Sequence, residues 1–102
     1  MGLSIKRAET ERKARAVAER MGVSLTEAID ITPSLPDGYF YRAELHFAQR
    51  KHAQAIKDYE VAISRSAQFY EAYLGLGRAL EWVLDYERAR QQYEEILQAD
   101  ER

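Results

Sequence analysis

Apolar residues in this chain recur at intervals of three and four, the period of one face of an α-helix. Tyr39, Ala43, His46 and Phe47 share a face within 39–48. Ala55, Ile56, Tyr59, Ala62 and Ile63 share another within 53–63. The pattern then returns. Residues 52–63 read HAQAIKDYEVAI and residues 86–97 read YERARQQYEEIL. An offset of 34 aligns Tyr39 with Tyr73, Ala43 with Gly77, Ala55 with Ala89, Tyr59 with Tyr93 and Glu60 with Glu94. A fixed period of this size marks a repeat architecture. The small residues let paired helices approach closely, and the tyrosines fill the space beside them. The spacing predicts helices near 37–49, 53–65, 70–83 and 87–98, in two helix–turn–helix units over 36–69 and 70–102.

YLGLGRAL (73–80) followed by YERARQQYEEIL, and YFYRAELHF followed by HAQAIKDYEVAI, resemble the tetratricopeptide repeat (TPR) over about 36–102. The resemblance implies an all-α fold of antiparallel helix pairs with an N-terminal helical extension. The chain departs from the family pattern at four places. Ala67 and Glu101 stand where a closing proline is usual, His46 where an aromatic or leucine is usual, and Ile96 where a small residue is usual. Two repeats are few for a stable array. The expectation is that the N-terminal segment, or another subunit, covers an end face.

Residues 1–35 read in two ways. Ala14, Val17, Ala18 and Met21 form an apolar stripe, and Gly22 fits the position just past a helix end, so one helix is expected at about 8–21. SLTEAI (24–29) fits a capping box from Ser24 to Glu27, opening a second helix at 25–31 before Pro33 and Pro36. On one reading the segment is a degenerate third repeat, with AIDITP (28–33) as its ending and Gly22-Val23 as an interruption. On the other, residues 3–29 resemble the start of VapB-like antitoxins, whose ribbon–helix–helix dimers place paired strands in the DNA major groove. That resemblance implies a short strand at 3–6, with Leu3 and Ile5 toward a dimer core. Ser4 and Lys6 would then face bases, and the helix start at Ser24 would face a phosphate. The early stop at Thr32-Pro33 departs from it, because the family's second helix runs further.

Composition narrows the classes. The chain has 102 residues, 46% hydrophobic and 31% charged, as in a folded helical domain. It has no cysteine, which excludes disulfides and Cys-based zinc sites and suits a cytoplasmic protein. No apolar run is long enough to span a membrane, and the N-terminus lacks the apolar core of a secretory signal. The net charge of −2 hides an asymmetry. Residues 1–22 carry six Lys/Arg and three Glu, and the remainder carries nine basic and fourteen acidic residues. A basic head could contact nucleic acid or dock on the acidic body.

No enzyme constellation is present. His46 and His52 lack a carboxylate at metal-ligand spacing, GLGR (75–78) reads as helix packing rather than a nucleotide loop, and no cofactor is implied. The TPR resemblance places the first helix of each repeat along a concave groove. It implies a groove lined by Phe40, Tyr41, Glu44, Phe47, Leu74, Arg78, Glu81 and Trp82. Phe40, Glu44 and Gly75 stand where a carboxylate-clamp groove needs lysines and asparagines, which disfavours an acidic C-terminal peptide. The aromatic residues suit an apolar or amphipathic helix of a protein partner. The competing expectation is that Val17 and Met21 of the chain's own first helix fill this face. The functional reading is a protein-interaction module. The alternatives are an antitoxin-like DNA-binding homodimer and, from the abrupt junction at 30–36, an engineered or fused chain.

Overall fold

A computed structural model describes the backbone of residues 2–101, and side chains from 12 to 100 except 14. It contains α1 (Gly2–Ile31), α2 (Pro36–Ala48), α3 (His52–Arg65), α4 (Tyr70–Trp82) and α5 (Tyr86–Glu101). The last four lie within three residues of the helices the spacing predicts. α2 pairs with α3, α4 pairs with α5, and α3 packs on α4 to join the pairs. The architecture is that of two TPR-type helix pairs with an N-terminal helical extension.

Side-chain size explains the close packing. The main core cluster is Ala43, Ala55, Ala62, Ala72, Ala79 and Ala89 with Tyr59, Leu76 and Leu80. Alanines at the crossings bring helix backbones together, and the few large residues fill what remains. Tyr59 shows how. A Cβ on Gly75 would fall 2.5 Å from Tyr59 Cζ, so the ring needs a glycine on α4. Gly77 receives Tyr93 in the same manner, with Cε1 at 2.5 Å.

The turns repeat as faithfully as the helices. After α2, the Arg50 N–H donates to the Phe47 carbonyl and the Lys51 N–H to the His46 carbonyl, at 3.0 and 2.8 Å. After α4, Leu84 donates to Glu81 and Asp85 to Leu80, again at 3.0 and 2.8 Å. Both are Schellman closures, which put the residue just past the helix in the left-handed region. Arg50 has φ 63° and Leu84 φ 66°, so two non-glycine residues hold a conformation that glycine favours.

α1 corrects the expectation of two short helices. It is a single helix of 30 residues, uninterrupted at Gly22. Glycine inside a helix costs about 1 kcal/mol relative to alanine, but packing favours the straight form. A Cβ on Gly22 would lie at ordinary contact distance, 3.5 Å, from Leu45 of α2. Further along, Ile29 is buried against Gly38, whose absent Cβ would lie 2.9 Å from Ile29 Cγ1. The Ser24 amide is therefore inside a helix, and the capping box is not formed. The backbone at 3–6 is helical where a strand was expected. The side chains of Leu3, Ser4, Ile5 and Lys6 lie outside the described residues.

The second half of α1 packs on α2 as α3 packs on α4, and α1 meets no other helix of the described backbone. Residues 18–31 precede α3 by 34 and stand in the place of a second helix of a preceding repeat.

Candidate functional site

The neighbouring first helices, α2 and α4, enclose a cleft of about 190 Å³ lined by Phe40, Glu44, Phe47, Tyr59, Glu71, Leu74, Gly75 and Arg78. Helical period selects the α4 wall. Glu71, Leu74, Gly75 and Arg78 are spaced three, one and three, one face of the helix. Tyr59 forms the floor. Its hydroxyl donates to Glu44 Oε1 at 2.5 Å, and burial followed by that hydrogen bond pushes the phenol far above its ordinary value. Glu44 is thereby tied to the floor of the cleft, with Glu71 and Arg78 across from it.

An aromatic row leads out of the cleft. Phe47 meets His52 edge-on at 5.3 Å, and His52 stacks on Trp82 at 5.4 Å with the rings 8° from parallel. Trp82 is 66% exposed. On the inner side, Phe40 stacks on Phe69 at 4.8 Å and meets Tyr59 edge-on.

Five of the eight residues expected in the groove line this cleft: Phe40, Glu44, Phe47, Leu74 and Arg78. Trp82 ends the aromatic row outside it. Tyr41 faces elsewhere, into a hollow of about 700 Å³ between α2 and α1, with Val17, Met21 and Leu25. Glu81 turns toward α5. Burial and its hydrogen bond push the Tyr93 phenol up to about 12. Val17 and Met21 do not enter the α2–α4 cleft, and no described side chain of α1 lines it. Glu71 and Tyr59 were missed by the sequence reading. The spacing to Leu74 and Arg78 would have found Glu71. Tyr59 counted only as core because its hydroxyl partner was not apparent.

On the opposite face, Asp58 is buried and accepts two hydrogen bonds from Arg42, at 2.8 and 2.9 Å. His46 Nε2 lies 3.5 Å from the same carboxylate, and burial lowers the His46 pKa despite that neighbour. Arg42 also donates to Thr26 Oγ1 at 3.4 Å, linking α1 to the pair. This cluster staples helices together. Among the described residues no group of three His, Asp or Glu is placed to hold a metal ion, and no helix is long and apolar enough to cross a membrane. Ser24 is exposed in mid-helix, with no free helix N-terminus to offer a phosphate.

No family model matches the sequence, and neither does any curated protein. Solved structures do. The first TPR of Spaghetti (RPAP3), bound to the HSP90 peptide SRMEEVD, aligns with TM-score 0.78 at 24% identity, covering 94% of this chain and 76% of that one. The Sgt2 TPR domain from Aspergillus fumigatus aligns at 0.77 and 27%, covering 89% and 60%. A crystal structure of MamA aligns at 0.75 and 26%, covering 78% of this chain and 47% of that chain. The chain thus matches about half the length of MamA. The fold is the TPR fold.

Proposed function

We propose that the chain is a protein-interaction module that binds an apolar or amphipathic helix of a partner protein along the α2–α4 cleft. The aromatic row Phe47–His52–Trp82, half-buried at its inner end and closed by an exposed tryptophan, carries this reading. A large exposed tryptophan held flat by a stacked imidazole is a rigid, preorganised anchor, the residue type that dominates binding energy at interfaces. The cleft takes individual apolar side chains, and the row extends the contact along one helix face. Glu44 and Glu71 outnumber Arg78 on its walls. That balance favours a helix with a basic flank and repels an acidic peptide such as the one held by the RPAP3 domain.

The test is fluorescence anisotropy with two labelled peptides, an amphipathic helix carrying Lys/Arg beside a leucine stripe and the acidic SRMEEVD. The basic amphipathic helix is expected to bind at least tenfold more tightly. Tighter binding of SRMEEVD would overturn the proposal.

A further inference from the structure

In α3, the face turned to α2 carries Ala55, Asp58 and Ala62, all buried. The positions 34 earlier in α1 are Met21, Ser24 and Ala28, and all three are exposed. A second helix of a repeat normally packs against its own first helix on that face. In this chain the counterpart of that first helix, residues 2–14, runs straight on within α1 instead of folding back. The hollow of about 700 Å³ beside Val17, Met21 and Tyr41 is the vacant position.

The exposed stripe has a heptad spacing. Val17, Met21, Ser24, Ala28 and Ile31 are separated by four, three, four and three residues, the seam of a two-helix coil. We propose that a second copy of this chain fills the vacancy, its α1 packing antiparallel on this one about a two-fold axis between Met21 and Ser24. Each α1 then takes the place of the missing first helix in the other molecule. The direction is the one this fold uses, because paired helices in a repeat are antiparallel.

The stripe is complementary to itself in this register. Met21 meets Ser24 of the other copy and Val17 meets its Ala28, large against small in each layer. Arg20 and Glu27 flank the stripe on one side, both exposed. The two-fold axis brings each Arg20 beside the other copy's Glu27, giving two opposite-charge pairs. A parallel pairing would instead set Met21 against Met21 and Arg20 beside Leu25 of the other copy, losing the opposite-charge pairs. The hollow and the α2–α4 cleft share Glu44 as a lining residue, but the seam on α1 lies outside the cleft, and neither reading rests on the other.

The test is sedimentation equilibrium of the full chain, with oxidative cross-linking of cysteine variants, a clean readout in a protein without native cysteine. Positions 17 and 28 of one α1 are about 16 Å apart along the axis, at roughly 1.5 Å per residue. A disulfide needs Cα atoms within about 7 Å, so the two cannot join within one helix. The expected result is a dimer in which Val17→Cys/Ala28→Cys gives a disulfide-linked pair and neither single variant does. Met21→Glu should weaken the dimer at least tenfold with helicity unchanged. A monomer, a dimer indifferent to Met21→Glu, failure of the double variant to cross-link, or linkage through Val17→Cys alone would overturn the proposal.

Discussion

The Tyr59 ring lies against the bare backbone of Gly75, 2.5 Å from where a Cβ would place its first carbon. One glycine on α4 therefore decides how deeply a tyrosine on α3 sits, and the tyrosine in turn fixes Glu44 of α2 by its hydroxyl. Three helices and the floor of the cleft depend on one missing methyl group.

Gly75→Ala should therefore destabilise the protein even though alanine is the better helix former. Forcing extra volume into a packed core costs about 1–3 kcal/mol, against about 1 kcal/mol of helix propensity gained. The same change at Gly22 meets only Leu45 at 3.5 Å and should raise stability by up to about 1 kcal/mol. Urea unfolding of the two variants should move the midpoint in opposite directions.

Trp82 separates binding from folding. A tryptophan filling the core would cost roughly 3–5 kcal/mol on truncation. Trp82 is two-thirds exposed and stacks mainly on His52. Trp82→Ala should lose less than about 1.5 kcal/mol of stability, the scale of an aromatic pair. It should weaken the amphipathic peptide at least tenfold.

Arg50 and Leu84 carry backbone strain at equivalent turns. A left-handed conformation costs a non-glycine residue roughly 1–2 kcal/mol. Leu84 is largely exposed and loses little burial on truncation. Leu84→Gly should leave stability unchanged or raise it by up to about 1 kcal/mol, after glycine's greater freedom in the unfolded chain is deducted. A clear fall in thermal midpoint would show that its side chain packs.

His46 sets an acid limit. Burial lowers its pKa below the ordinary value of about 6.5, so the unfolded chain takes up the proton first. Its neutral form contributes stability above pH 6.5. That contribution is lost as pH falls from about 6.5 toward the lowered folded value. Below that value its own effect levels off. His46→Gln should flatten the stability profile in that window, measured by urea unfolding from pH 7 to 5.

Much of the fold was legible because it rests on spacing. Tyr59 and Tyr93, Ala55 and Ala89 recur at 34, and the period of an α-helix turns that recurrence into paired helices. The Schellman turns were not legible, because their usual glycine signal is absent at Arg50 and Leu84. Gly22 misled in the opposite sense. It reads as a helix end, yet the packing of α1 on α2 and the fit of Ile29 to Gly38 carry the helix through. In the cleft, Phe40 and Tyr41 were both placed on the groove, but adjacent residues on a helix point about 100° apart. Tyr41 turns to α1, and only a knowledge of where α1 lies could have said so.

The most direct measurement maps the bound amphipathic helix by amide chemical shifts in the labelled chain. The largest changes are expected at Phe47, Gly75 and Arg78, with the Trp82 indole moving and α1 silent. Changes confined to α1, or binding that leaves the cleft residues unmoved, would contradict this.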